Sequence, residues 1–285
     1  MMSQTALLNG RKFSFRANRA FSTRSDIPMI VALHGGAHSS AYFDIKGFSL
    51  LERAAALGIL AIALDRPGYG DSEFRDEAEL SHSANAAILD AAIGQILAKL
   101  GQRNRGVVLI GHSIGGAIAL MIAGGKPAWP LLGVAVSGVG LRPHDEDIEA
   151  WQALPPDLFI DLPVALRNIK MFGEGGTYSE EGQRSIALAS VPAPRQELID
   201  IVMSWPSAAP DILTRIDAPI HYRQGEADAL WTVNDQEIRR FAQACKSAAM
   251  IDACLLKNSG HAIDFHDLGP EFQLEQLAFA LKCAT

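Results

Sequence analysis

Cysteine is scarce in this chain. Cys245, Cys254 and Cys283 are the only three among 285 residues, and their number and irregular spacing fit neither a disulfide framework nor a metal site. They are expected as reduced thiols, which makes the cytoplasm the expected compartment. No apolar run approaches the roughly 18 residues that a membrane-spanning helix needs. The first ten residues lack the charged start and long apolar centre of a secretory leader. No Gly-x-Gly-x-x-Gly follows the first buried strand, and there is no Walker phosphate loop and no His-Glu-x-x-His. His34 and His38 are four residues apart, but they lie in a glycine turn rather than on a helix. No cofactor and no metal are therefore expected. Positive charge is also short: 25 Lys and Arg stand against 32 Asp and Glu, a net charge of −7. That balance gives no electrostatic reason to expect nucleic acid or an anionic membrane surface as partner. The remaining partner class is a small-molecule substrate, and nothing in the sequence fixes an oligomeric state.

What is present is a globular balance, 48% hydrophobic and 20% charged, in a chain long enough to bury a sizeable core. Residues 12–17 alternate as a half-buried strand does, and residues 29–33, 59–64, 107–110 and 131–136 are short, continuously apolar strands. Helical spacing lies between them, over 48–57, ending at Gly58, and over 81–100, begun by Ser81 or Ser83 and stopped by Gly101. Strands apolar on both faces, alternating with helices, predict an α/β fold with a mostly parallel central sheet covered by helices on both faces. After Leu141 the pattern changes. Residues 161–210 read as short helices broken by Pro163, Gly173, Gly175, Gly176, Pro192, Pro194 and Pro206. Regular alternation resumes at Ala218, with helices expected over 232–244 and 270–282. The expected division is a core of residues 1–141 and 211–285 around an insertion of residues 142–210. The insertion is rich in large apolar residues, among them Trp151, Leu158, Phe159, Ile160, Met171, Phe172 and Trp205, which either line a pocket or bury its own helices against the core.

The most informative segment is Gly111-His112-Ser113-Ile114-Gly115, set between the strand at 107–110 and a helix of small residues. A serine in that place sits on a sharp turn that strains its backbone and leaves little room on either side, and the two glycines supply that room. Further on, Asp228 follows the apolar stretch at 219–222, and His261 follows that at 250–256. His34-Gly35-Gly36 follows the strand at 29–33. His34, Ser113, Asp228 and His261 thus all fall at carboxyl ends of predicted strands, where open α/β sheets bind ligands.

This set, in the order Ser, Asp, His, resembles the α/β-hydrolase family in its lid-bearing serine hydrolase branch. Leu64-Asp65-Arg66-Pro67-Gly68-Tyr69-Gly70-Asp71-Ser72 matches a further motif of that family, the turn after its fourth strand. The resemblance implies that Ser113 is a nucleophile, that His261 is its general base and that Asp228 orients the imidazole. Asp217, Glu226 and Asp235 are nearby acids, and Asp264 and His266 lie close to His261, but only Asp228 and His261 match the family's positions. Backbone N–H groups of Ile114 and of the turn after His34 would stabilise an oxyanion. The resemblance places the second at Gly36, with Ala37 as the alternative. It also implies that the insertion at 142–210 is a lid. Asp65 and Arg66 read as turn-stabilising residues, His34 as a structural group beneath its turn, and His38 as a solvated loop residue, with a pocket-facing position as the alternative.

The implied activity is serine esterase chemistry on a small or medium apolar ester, thioester or lactone, without a cofactor. A hydrolase that cleaves the carbon–carbon bond of a diketone uses the same three residues. A ligand-binding receptor that keeps a vestigial triad is the alternative outside enzymes.

Overall fold

The computed structural model describes residues 1–18, 27–100, 105–173 and 178–285. The chain opens with β1 (Gln4–Leu8) and β2 (Arg11–Ala17), joined at Asn9 and Gly10, both with positive φ. That is the backbone a two-residue hairpin turn requires. Then β3 (Met29–Leu33), α1 (Leu50–Ala56), β4 (Ala61–Leu64), α2 (His82–Leu100), β5 (Val107–His112), α3 (Ile114–Gly124) and β6 (Leu131–Ser137) alternate. The inserted part holds α4 (Asp145–Gln152), β7 (Phe159–Ile160), α5 (Val164–Phe172), α6 (Glu180–Ile186), β8 (Ala193–Pro194) and α7 (Arg195–Thr214). The chain closes with β9 (Ile220–Gly225), α8 (Asp235–Ala244), β10 (Ile251–Leu256) and α9 (Gly269–Cys283).

Eight strands form one sheet in the order β1-β2-β4-β3-β5-β6-β9-β10. The pairs β1/β2 and β2/β4 are antiparallel, and all the others are parallel. Side chains of a strand point alternately to its two faces, and here both faces are buried. Met29, Val31 and Leu33 belong to the buried cluster built with α2, α3 and α7, whereas Ile30 and Ala32 belong to a second cluster built with α1 and α9. This double burial is why the central strands are continuous apolar runs. The hairpin strand β1 covers little and is mostly exposed. Among the described residues no helix is long and apolar enough to cross a membrane.

One helix start falls where the sequence reading put it, and two local differences have physical causes. Helix α2 is begun by Ser81, whose hydroxyl accepts from the N–H of Ala84; Gly101, expected to stop it, lies outside the described residues, as do Gly175 and Gly176. Helix α8 starts later than expected because the Asn234 side chain caps it, accepting from the N–H groups of Gln236 and Glu237. Helix α7 runs unbroken through Pro206 and Pro210 to Thr214, past the expected boundary of the insertion. Each internal proline removes a backbone bond, at a cost of about 3 kcal/mol. The helix buries Leu198, Ile201, Val202, Trp205, Ala209, Ile212 and Leu213, and that packing overrides the local penalty.

Candidate active site

Strand β5 ends at His112, α3 begins at Ile114, and Ser113 alone makes the turn between them. Its backbone has φ 54° and ψ −124°, a conformation that costs a non-glycine residue on the order of 1–3 kcal/mol. Its N–H donates to the carbonyl of Ser137, and its own carbonyl accepts from Ala117. The hydroxyl caps nothing on the helix that follows, so it is not consumed structurally. A side chain at position 115 would place its Cβ 2.1 Å from the Leu33 carbonyl oxygen, and one at 111 would lie 2.5 Å from that of Gly115. The turn therefore closes only with glycine at both positions.

Past the end of β9, Asp228 is buried, and its two carboxylate oxygens are both engaged. Oδ1 accepts from the N–H of Leu230 at 2.9 Å. Oδ2 accepts from Gln224 Nε2 at 2.7 Å and lies 2.7 Å from Nδ1 of His261. With Nδ1 facing a carboxylate, the imidazole proton belongs on Nδ1 and the lone pair on Nε2. That Nε2 is buried and has no hydrogen-bond partner among the described residues. The His261 ring lies 4.9 Å from that of His112, the residue before Ser113. His112 itself stacks on Tyr42, with centroids 4.7 Å apart and planes 10° from parallel. Burial holds His112 well below the usual histidine range, so it stays neutral beside His261.

The turn after β3 approaches Ser113 from the other side. A Cβ at Gly35 would stand 3.0 Å from Ser113 Cβ, and one at Gly36 would stand 2.8 Å from Ile114 Cδ1. Among the described residues, the N–H groups of Gly36 and Ile114 make no hydrogen bond. The N–H of Ala37, the alternative donor, is taken by the Tyr69 hydroxyl at 3.2 Å. His34 is buried beneath the turn, where its Nε2 accepts from the N–H of Arg66 at 3.2 Å. Burial first, then the Arg66 charge, holds it well below the usual range. His38 is not the solvated residue expected but takes the alternative, pocket-facing position. It is buried, its Nδ1 lies 2.9 Å from the Gly36 carbonyl oxygen, and burial takes its pKa down to about 4.

A buried ion pair that sequence reading missed ties this turn to the insertion. Arg66 donates to the carbonyls of His34 and Gly35 at 3.0 and 3.2 Å, and its guanidinium binds Glu197, in the first turn of α7, at 2.6 and 3.2 Å. Tyr69 donates its hydroxyl to the same Glu197 carboxylate. Arg66 and Glu197 side chains are almost wholly buried. Asp65 is a turn-stabilising residue, accepting from Ser14 Oγ and from the N–H of Ser40, both at 2.6 Å.

The cavity over Ser113 is lined from the core by Gly36, Ala37, His38 and Ile114, and from the insertion by Trp151, Leu166, Ile201 and Val202, with Trp231 closing one side. Of the apolar insertion residues singled out in the sequence, Trp151 and Met171 line it. Phe172 and Trp205 do not: Phe172 packs on Tyr178 and His266, and Trp205 donates its indole N–H to the Gly140 carbonyl. Three of the rival titratable groups are engaged elsewhere. Asp217 pairs with Lys126 on the surface, Asp264 accepts from Tyr42 and Gln273, and His266 accepts from the N–H of Gly260. Gln224 escaped the sequence reading because a glutamine at a strand end carries no signal of its partner.

The model of the alpha/beta hydrolase family matches residues 30–271. Over 122 residues the chain is 30% identical to protein phosphatase methylesterase 1 of Bos taurus and equally to that of Mus musculus. Those matches cover 42% of this chain and only 30% of the relatives' length. A soluble variant of monoglyceride lipase from Saccharomyces cerevisiae superposes with a TM-score of 0.74 at 16% identity, over 100% of this chain and 95% of that one. An esterase from Exiguobacterium antarcticum does so with a TM-score of 0.72 at 17% identity, over 98% and 99%. At such identities the likeness is one of fold.

Proposed function

The chain belongs to the α/β-hydrolase family, and from that premise we propose that it is a serine hydrolase transferring an acyl group from a small or medium ester, thioester or lactone to water. The observation that carries this reading is the strained turn at Ser113, whose uncommitted hydroxyl shares a pocket wall with two free N–H groups, while an imidazole backed by a buried carboxylate lies 4.9 Å from the ring of His112, the residue before Ser113. Ser113 Oγ attacks the carbonyl carbon and gives its proton to Nε2 of His261. Asp228 holds the tautomer and stabilises the imidazolium. The N–H groups of Gly36 and Ile114 receive the developing oxyanion, a contribution of roughly 3–4 kcal/mol per donor in well-formed sites. His261 then protonates the departing alcohol or thiol, leaving an acyl-Ser113. Water attacks that ester with His261 again as base, releasing the acid and restoring the serine. The buried state of Nε2 supports this role, because an orphaned lone pair there is costly unless a proton donor arrives.

In the same reading the insertion at 142–210 is a lid. Trp151, Leu166, Met171, Leu198, Ile201 and Val202 desolvate the acyl chain, at about 0.8 kcal/mol per buried methylene. The test is a panel of short esters, thioesters, lactones and diketones followed in the pre-steady state. The expected result is a burst of alcohol or thiol product equal to the enzyme concentration, then slower turnover. Diketone cleavage far faster than any ester, or no burst and no turnover with any ester, thioester or lactone, contradicts it.

A further inference from the structure

Helix α5 presents four residues to the cavity: Leu166, Arg167, Lys170 and Met171. Their spacing puts two apolar and two cationic side chains on one helix face. The two cations differ in what holds them. Lys170 is neutralised, with its Nζ 2.5 Å from Asp147 Oδ1 on α4 and 3.0 Å from the Ala229 carbonyl. The Arg167 guanidinium has no carboxylate within ion-pair distance and no hydrogen bond among the described residues. It is half-buried in a wall that is mostly apolar apart from Lys170, His38 and Ser113, and its charge reaches His38, beside the Gly36 turn. Two acids on the elements that wall the cavity are already used: Glu197 by Arg66 and Tyr69, and Asp147 by Lys170. A half-desolvated guanidinium left unpaired in a site is costly, and a bound carboxylate repays it through a bidentate, charge-assisted contact.

Resting on the acyl-transfer reading above, we infer that the substrate is an acidic ester, with its carbonyl at Ser113 and a carboxylate on its acyl part held by Arg167. Leu166, Met171 and Leu198, which line the same cavity, would then cover a short methylene span rather than a fatty tail.

The test compares each monomethyl ester of the dicarboxylic acids from succinate to suberate with the neutral methyl ester of the same length. The readout is the ratio of kcat/KM values within each pair. The wild type is expected to favour the acidic member at one or two lengths by roughly tenfold or more, and Arg167→Gln to lower that ratio by about 10- to 100-fold. Arg167→Lys should restore part of it. A second arm needs no turnover: the free dicarboxylates are titrated calorimetrically into Ser113→Ala and into Ser113→Ala/Arg167→Gln. Binding at the favoured length that weakens at least tenfold in the double variant supports the inference. Neutral esters preferred at every length, or dicarboxylate binding insensitive to Arg167, overturns it while leaving the acyl-transfer reading standing. Arg167-dependent dicarboxylate binding with no hydrolysis of any ester has the opposite meaning: the anion site holds and the acyl-transfer reading fails.

Discussion

Tyr69 accepts the N–H of Ala37 and donates its own hydroxyl to Glu197, so a single phenol joins the turn beside Ser113 to the inserted helix α7. Glu197 in turn neutralises Arg66, which holds the carbonyls of His34 and Gly35. Tyr69→Phe removes both bonds at once. The expected outcome is a loss of about 1–3 kcal/mol in stability together with a fall in kcat larger than any change in KM. Glu197→Gln leaves a buried guanidinium without its counter-charge and should cost about 3–5 kcal/mol, whereas the double variant Arg66→Met/Glu197→Leu should be less destabilised than Glu197→Gln alone. Urea unfolding of the three variants checks the order.

This network marks the limit of what the sequence could disclose. Ser113 was legible because a strained turn demands Gly111 and Gly115, and the short motif prints that demand locally. The strands carrying it were legible because burial on both faces makes Met29–Leu33 and residues 107–110 continuous apolar runs. Glu197 stands 131 residues from Arg66, and nothing local to either names the other. The same holds for Gln224 beside Asp228, and for the pocket wall, where Trp151 faces the cavity while Trp205 is buried elsewhere. Two large apolar residues of one insertion look alike until packing separates them. The hairpin strand β1 was missed although Asn9-Gly10 signals its turn, because its mostly exposed side chains lack a core pattern.

The Asp228–His261 contact predicts the effect of removing the charge while keeping the shape. Asp228→Asn can donate to Nδ1, which favours the tautomer with its proton on Nε2, the atom that takes the serine proton in the proposed mechanism. Turnover should fall by about 10^3–10^4 with little change in KM. Near-normal turnover in Asp228→Asn would move the acid elsewhere.

Backbone strain at Ser113 gives a prediction about stability. Glycine adopts positive φ without penalty, so Ser113→Gly should be more stable than Ser113→Ala by about 1 kcal/mol, after allowing for the freer unfolded chain. Both should lack hydrolysis. Denaturant midpoints compare the pair directly, and an alanine variant more stable than the glycine variant would contradict the strain.

Buried histidines set the acid limb of stability. Burial depresses the pKa of His34, His38 and His112, for His38 to about 4, so each is neutral in the folded state and takes a proton on unfolding below its ordinary value near 6.5. The unfolded chain then binds more protons, and stability falls as pH drops from about 6.5 toward 4. Each such histidine adds a slope of about 1.4 kcal/mol per pH unit within that window. His38→Gln should flatten the slope by about one proton's worth in urea unfolding between pH 7 and 4.5, and an unchanged slope would show that His38 does not titrate there.

The central claim is that Ser113 is the nucleophile, and covalent labelling tests it most directly. A fluorophosphonate ester requires an activated serine, and its product survives digestion and mass spectrometry. The account predicts one adduct per chain on the wild type, mapped to the peptide containing Ser113, a rate lowered strongly in Asp228→Asn, and no adduct on Ser113→Ala. An adduct that persists on Ser113→Ala, or maps to another residue in the wild type, would contradict it.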